Sequence, residues 1–154
     1  MERHAAPLLA LLLLGCGEGP QIYENPEDTA IREDETPPII THEPVTSAQE
    51  LGQSISLEAT VTDDVDGDGE EDVDESGVFQ VKIFFKQEIT TVWDSTVMTQ
   101  IDPSGIYGGS IPGTAVGSGG MDYYLWSVDR KQNESFLPRG GDNDAWHFRV
   151  TIDE

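Results

Sequence analysis

The chain has 154 residues, in which 30 Asp and Glu face 8 Lys and Arg, a formal charge of -22 at neutral pH. A surface of that sign repels phosphate backbones, so nucleic acid is excluded as a partner. The single cysteine rules out an internal disulfide, and the fold must rest on a buried core, which a chain of this length is able to form.

The first apolar element is the run Leu8–Leu14, followed by Gly15 and Cys16. A bilayer span needs about 20 apolar residues, whereas a run this short has the length of a signal-peptide core. The segment Leu13-Leu14-Gly15-Cys16 resembles the lipobox of bacterial lipoproteins. That resemblance implies removal of residues 1–15 as a signal peptide and lipidation of Cys16 as the new first residue. The chain would then be extracytoplasmic and held to a membrane by its lipid anchor, since paired acyl chains hold where one alone binds only marginally. Gly17 and Glu18 follow the cysteine, so the Asp that retains some lipoproteins at the inner membrane is missing, which points to the outer membrane.

Residues 16–37 carry Glu18, Glu24, Glu27, Asp28, Glu33, Asp34 and Glu35 against Arg32, with Pro20 and Pro26 and no apolar periodicity. Such a stretch buries too little to offset its ordering entropy and reads as a disordered acidic linker. From residue 38 to residue 154 the texture changes to short alternating segments punctuated by Gly, Pro, Asn and Asp. Ile55, Leu57, Ala59 and Val61 alternate with polar residues, as do Val81, Ile83 and Phe85, and Trp146, Phe148, Val150 and Ile152. This is the period of half-buried strands. Further strands are expected at Ile39–His42, Thr91–Trp93, Val97–Ile101, Ile106–Ile111 and Met121–Val128, with a β-turn at Asp102-Pro103-Ser104-Gly105 and a flexible glycine-rich loop at Pro112–Gly120. About seven strands without intervening helices predict an all-β protein, an antiparallel β-sandwich.

Pro37-Pro38-Ile39-Ile40, the segment Ser54–Asp63 and the segment Tyr123–Asp129 resemble bacterial Ig-like or fibronectin type III-like modules. The resemblance implies an Ig-like sandwich in which Tyr123 or Tyr124 hydrogen-bonds back to the corner preceding its strand. It leaves function open, because this fold hosts many unrelated roles.

Between the first two core strands lies an acidic insert, residues 63–76. Read from Asp64 it fits D-x-D-x-D-G followed by five residues and Glu. A hard dication takes six to eight oxygens at about 2.3–2.6 Å, and carboxylates at alternate positions of a curled loop supply them. Asp64, Asp66, Asp68 and Asp72, the backbone carbonyl of Glu70 and a bidentate Glu75 form the candidate ligand set for Ca2+, with Gly69 at the sharp turn. The loop resembles that of an EF-hand, but strands flank it and Glu71 stands at the usually apolar eighth position, so the helix-loop-helix fold is not implied. The competing reading is a solvated acidic loop.

Trp93, Trp126, Trp146, Tyr107, Tyr123 and Tyr124 read as packing residues, with a sugar-stacking platform as the alternative. His42 and His147 stand on separate strands, His147 on a polar face that suits a solvated side chain. No G-x-S-x-G or H-E-x-x-H occurs, Ser104 sits in a turn, and Asp122 and Asp129 read as surface charges, so no enzymatic activity is expected. The leading expectation is a lipid-anchored envelope protein displaying a calcium-stabilised Ig-like module for adhesion or contact with another envelope protein. A polysaccharide-binding module using exposed aromatics and a passive spacer are the alternatives.

Overall fold

Alternation along Ser54–Thr62 puts Ile55, Leu57, Ala59 and Val61 on one side of the strand, and all four are buried while the residues between them are not. The computed structural model describes residues 34–63, 77–141 and 147–153. In chain order their strands are β1 (Ile39–Thr41), β2 (Gln49–Glu50), β3 (Ile55–Thr62), β4 (Val78–Gln87), β5 (Asp94–Val97), β6 (Thr99–Asp102), β7 (Ile106–Ile111), β8 (Met121–Asp129), β9 (Glu134–Leu137), β10 (Phe148–Val150) and β11 (Ile152–Asp153). One sheet has the order β1-β3-β7-β6 and the other β10-β8-β4-β5, with β9 also paired to β8. All pairings within these two sheets are antiparallel. This is the order of an Ig-like sandwich, ABED against CFG, with β5 added beside β4.

The core lies between the sheets. Leucine and isoleucine from the larger sheet (Ile83, Leu125) meet Leu57, Val61 and Ile111 from the smaller one, all almost fully buried. The longest pairing is β4 with β8, from Val78↔Asp129 to Gln87↔Met121, interrupted by a bulge between Val78 and Gln80. The β8 strand is buried at every residue except Trp126, which is half-buried.

Two strands expected to be continuous change sheet part-way. Val97–Ile101 divides at Met98: β5 ends on the larger sheet, β6 begins on the smaller, and Met98 turns into the core with its N–H donated to Val81 O at 2.9 Å. Gly109 makes room for it, since a Cβ there would stand 2.9 Å from Met98 Cγ. The last strand divides likewise into β10 and β11, the latter pairing in parallel with β2. Thr91–Trp93 lies outside the strands, which resume at Asp94. The Pro112–Gly120 segment contains a 3-10 turn at Gly113–Ala115 and buries Val116. The turn at Asp102–Gly105 forms as expected: Gly105 has φ +83° and returns its N–H to Asp102 O.

The tyrosine hydrogen bond differs from expectation. Tyr123 is fully buried, and its hydroxyl meets His42 Nε2 at 2.8 Å and the N–H of Val45 at 3.2 Å, in the segment joining β1 to β2, instead of the corner before its own strand. The reason is the early switch of the N-terminal strand from β3 to β11, which carries residues 42–48 across the mouth of the sandwich beside Tyr123.

Leu125→Ala, at the centre of β8, is expected to lower unfolding free energy by about 3 kcal/mol, the cost of a large buried cavity. Urea denaturation reads this directly, and a loss under about 1 kcal/mol would contradict the packing described.

Candidate metal centre

Asp63 follows β3, and Gly77 stands just ahead of β4. Val78 pairs with Asp129 at the end of β8, and Arg130 donates its N–H to Gly77 O at 3.3 Å. Ile39 pairs with Thr62, which brings the approach to β1 alongside Asp63. These pairings converge at one end of the domain, where carboxylate oxygens of Asp34, Asp63 and Asp129 all lie within 4.8 Å of one another. The three residues are 8%, 9% and 0% exposed.

The carboxylates are held by their own turns. Asp129 Oδ1 accepts the backbone N–H groups of Lys131 and Asn133 at 2.7 and 2.8 Å, and Oδ2 accepts Asn133 Nδ2 at 2.7 Å. The same side-chain amide donates to Asp34 O at 2.9 Å, which ties the N-terminal chain to the β8–β9 turn. Asp34 Oδ1 accepts the N–H of Thr36 at 3.0 Å. Gln132, inside the turn that Asp129 organises, takes a left-handed φ of 72°.

Unit charges at such a separation repel by roughly 4 kcal/mol near a protein surface, and a cation or a proton between them removes that cost. An all-carboxylate donor set suits a hard cation. Cys16 and the sequence-identified ligands Asp64, Asp66, Asp68, Glu70, Asp72 and Glu75 lie outside the described residues, as does Trp146. The triad itself escapes a reading of the sequence because its members are far apart in the chain. Asp34 falls in the stretch read as linker, and Asp129, read as a surface charge, is buried.

Asp122 is likewise buried, at a separate site on the outer face of the larger sheet. It receives Lys86 Nζ at 3.4 Å, His147 Nε2 at 3.3 Å and Arg149 Nε at 3.1 Å, and Arg149 also reaches Glu88 at 3.2 Å. The bond to Asp122 raises the Arg149 pKa further. His147, expected in solvent, has a side chain only 9% exposed. Beside this cluster Phe84 and Tyr124 stack at 4.9 Å, while Lys82 lies over Trp126 and Lys86 over Trp93. The rings of this face therefore cover one another or lie beneath lysines.

Compared with known proteins, the chain matches no family model and no curated protein sequence.

Asp122→Ala would leave Lys86, His147 and Arg149 around an empty centre, and a loss of about 3 kcal/mol is expected in denaturant titration, as for other broken buried ion pairs. Lys82→Ala, on the same face but outside the ionic cluster, is expected to cost less than about 1 kcal/mol. Equal effects of the two would refute the assignment of Asp122 as the hub.

Proposed function

We propose that the chain is a lipid-anchored envelope protein whose Ig-like sandwich is stabilised by calcium and displayed for contact with another envelope protein. The observation that carries the calcium reading is the convergence of Asp34, Asp63 and Asp129 where the acidic segment leaves β3 and rejoins β4. A ligand pattern in sequence and a carboxylate cluster at its base are independent features that call for the same hard cation. Its role is to join the ends of β3 and β8 to the N-terminal chain, three segments whose carboxylates otherwise repel.

The lipid anchor is supported by the apolar run and lipobox-like segment ending at Cys16. Contact with a protein is supported by the exposed apolar side chains Ile89, Val92, Val97 and Ile101, which lie on or beside the edge strands β5 and β6. The polysaccharide reading has less support, because Tyr124 is nearly buried and the faces of Trp93 and Trp126 are covered by lysines.

With an affinity of about 0.1 mM, as in extracellular modules, millimolar calcium adds about 1.4 kcal/mol of stability. Melting in calcium and in chelator is expected to differ accordingly, and Asp63→Asn and the double change Asp66→Asn with Asp68→Asn are each expected to shrink the difference. Superimposable melting curves for the unaltered chain would end the calcium reading.

Mass spectrometry of the chain from a bacterial envelope is expected to find a diacylglyceryl group on Cys16 as the first residue, with Cys16→Ser abolishing membrane retention. An unmodified thiol on an uncleaved polypeptide would overturn the anchor.

A further inference from the structure

His42 lies where the N-terminal strand leaves the smaller sheet to reach β11, and it touches both layers of the sandwich. Its Nδ1 is 2.6 Å from the carbonyl oxygen of Glu58 on β3. A carbonyl only accepts, so Nδ1 carries the ring proton and donates it. Nε2 is then the bare nitrogen, and the Tyr123 hydroxyl of β8 donates to it at 2.8 Å. The same hydroxyl accepts the N–H of Val45 at 3.2 Å. Every donor in this relay from Val45 through Tyr123 and His42 to Glu58 has an acceptor, and the arrangement closes only with a neutral imidazole. The ring is further fixed edge-on against Tyr123 and Phe148, at centroid distances of 5.7 and 5.5 Å.

We propose that the His42–Tyr123 relay is an acid-released latch that holds the β1–β2 crossing against the sandwich at neutral pH and lets it go when the imidazole gains a proton. A proton on Nε2 sets two donors against each other. The Tyr123 hydroxyl must turn its hydrogen away, because its two neighbours in the relay, the protonated ring and the N–H of Val45, are then both donors. The phenol does not yield its proton instead, since burial pushes it up to about 12.

The groups facing the imidazole give the direction. Burial lowers the His42 pKa below 6.5; the bond to Glu58 O and the charge of Glu43 on the same segment act the other way with smaller effect. On β8 the facing group is Tyr123, and on β10 the facing ring is Phe148, which carries no charge; Arg149 is engaged with Asp122 and Glu88. The released crossing thus takes up its proton at higher pH than the latched one. The latch is at full strength above about pH 6.5 and weakens as pH falls towards the folded value.

Amide exchange by NMR on the calcium-loaded full chain, corrected for the intrinsic pH dependence of exchange, tests the latch. Protection at Val45 is expected to fall about tenfold per pH unit between pH 6.5 and the folded pKa, with Leu125 unchanged. His42→Gln is expected to remove the pH dependence at Val45. Tyr123→Phe, which keeps the core volume, is expected to raise the His42 titration towards 6.5 and leave Val45 poorly protected at every pH. Flat protection at Val45 in the unaltered chain, or the same acid-induced fall in His42→Gln, would overturn the proposal. The Tyr123→Phe titration decides it should His42→Gln not fold, since an unmoved His42 pKa there would also overturn it.

Discussion

The β8 strand is buried on both faces, and a strand in that position must satisfy polar side chains where water does not reach. Met121, Tyr123 and Leu125 fill the space between the sheets, while Asp122 and Tyr124 point the other way beneath Lys86, Arg149, Trp93 and Phe84. Its last residue, Asp129, is buried and caps the following turn. Each polar cluster described is therefore attached to one strand. With a single cysteine in the chain, the two sheets are joined by the packing of Tyr123 and Leu125 of β8 against Leu57, Val61 and Ile111, and not by the inter-sheet disulfide of other sandwiches.

The two buried aspartates of that strand are resolved differently. Asp122 draws three basic groups from β4 and the C-terminal segment, which cancel its charge where it stands. Among the described residues, Asp129 receives neutral N–H donors from Lys131 and Asn133 and faces two more carboxylates. Neutral donors orient a carboxylate but leave its charge, and Asp129 keeps that charge close to Asp34 and Asp63. A divalent cation suits one of these sites and not the other for that reason, although both hold buried aspartate.

The parts of the fold legible in the sequence are those where one face of a strand meets the core and the other meets water. Ile55–Thr62 follows the alternation read there, and the inward residues of β4 and β10 follow the same rule; Ile106–Ile111 has the expected bounds without alternating. Alternation fails where a strand changes partner. Val97 and Ile101 lie on edge strands with both side chains exposed, and only Met98 between them enters the core. The two-residue β2 is polar and β9 carries its apolar residues side by side at Phe136 and Leu137, so neither shows an apolar period; β9 is held by main-chain pairing to β8, by Leu137 packed against the core and by the contact of Ser127 Oγ with Ser135 Oγ at 2.9 Å. The triad and the Asp122 cluster were illegible for a different reason, since each assembles residues that only the sheet order brings together. An aspartate at a strand end followed by a polar turn, as at Asp129–Asn133, was the one local sign of a capped and buried carboxylate.

Position along β8 also separates the two chemical sensitivities of the domain. Tyr123 lies near the start of the strand and Asp129 at its end, and six residues of extended chain place them roughly 20 Å apart. That is beyond the 7–10 Å or so within which perturbations couple strongly. The proposed proton at His42 and the proposed cation at the aspartates would therefore act on different ends of the sandwich, with additive effects on global stability. They share one element, the N-terminal chain, which Asn133 fastens at Asp34 and Tyr123 fastens at Val45. Loosening either fastening leaves the other to hold that segment.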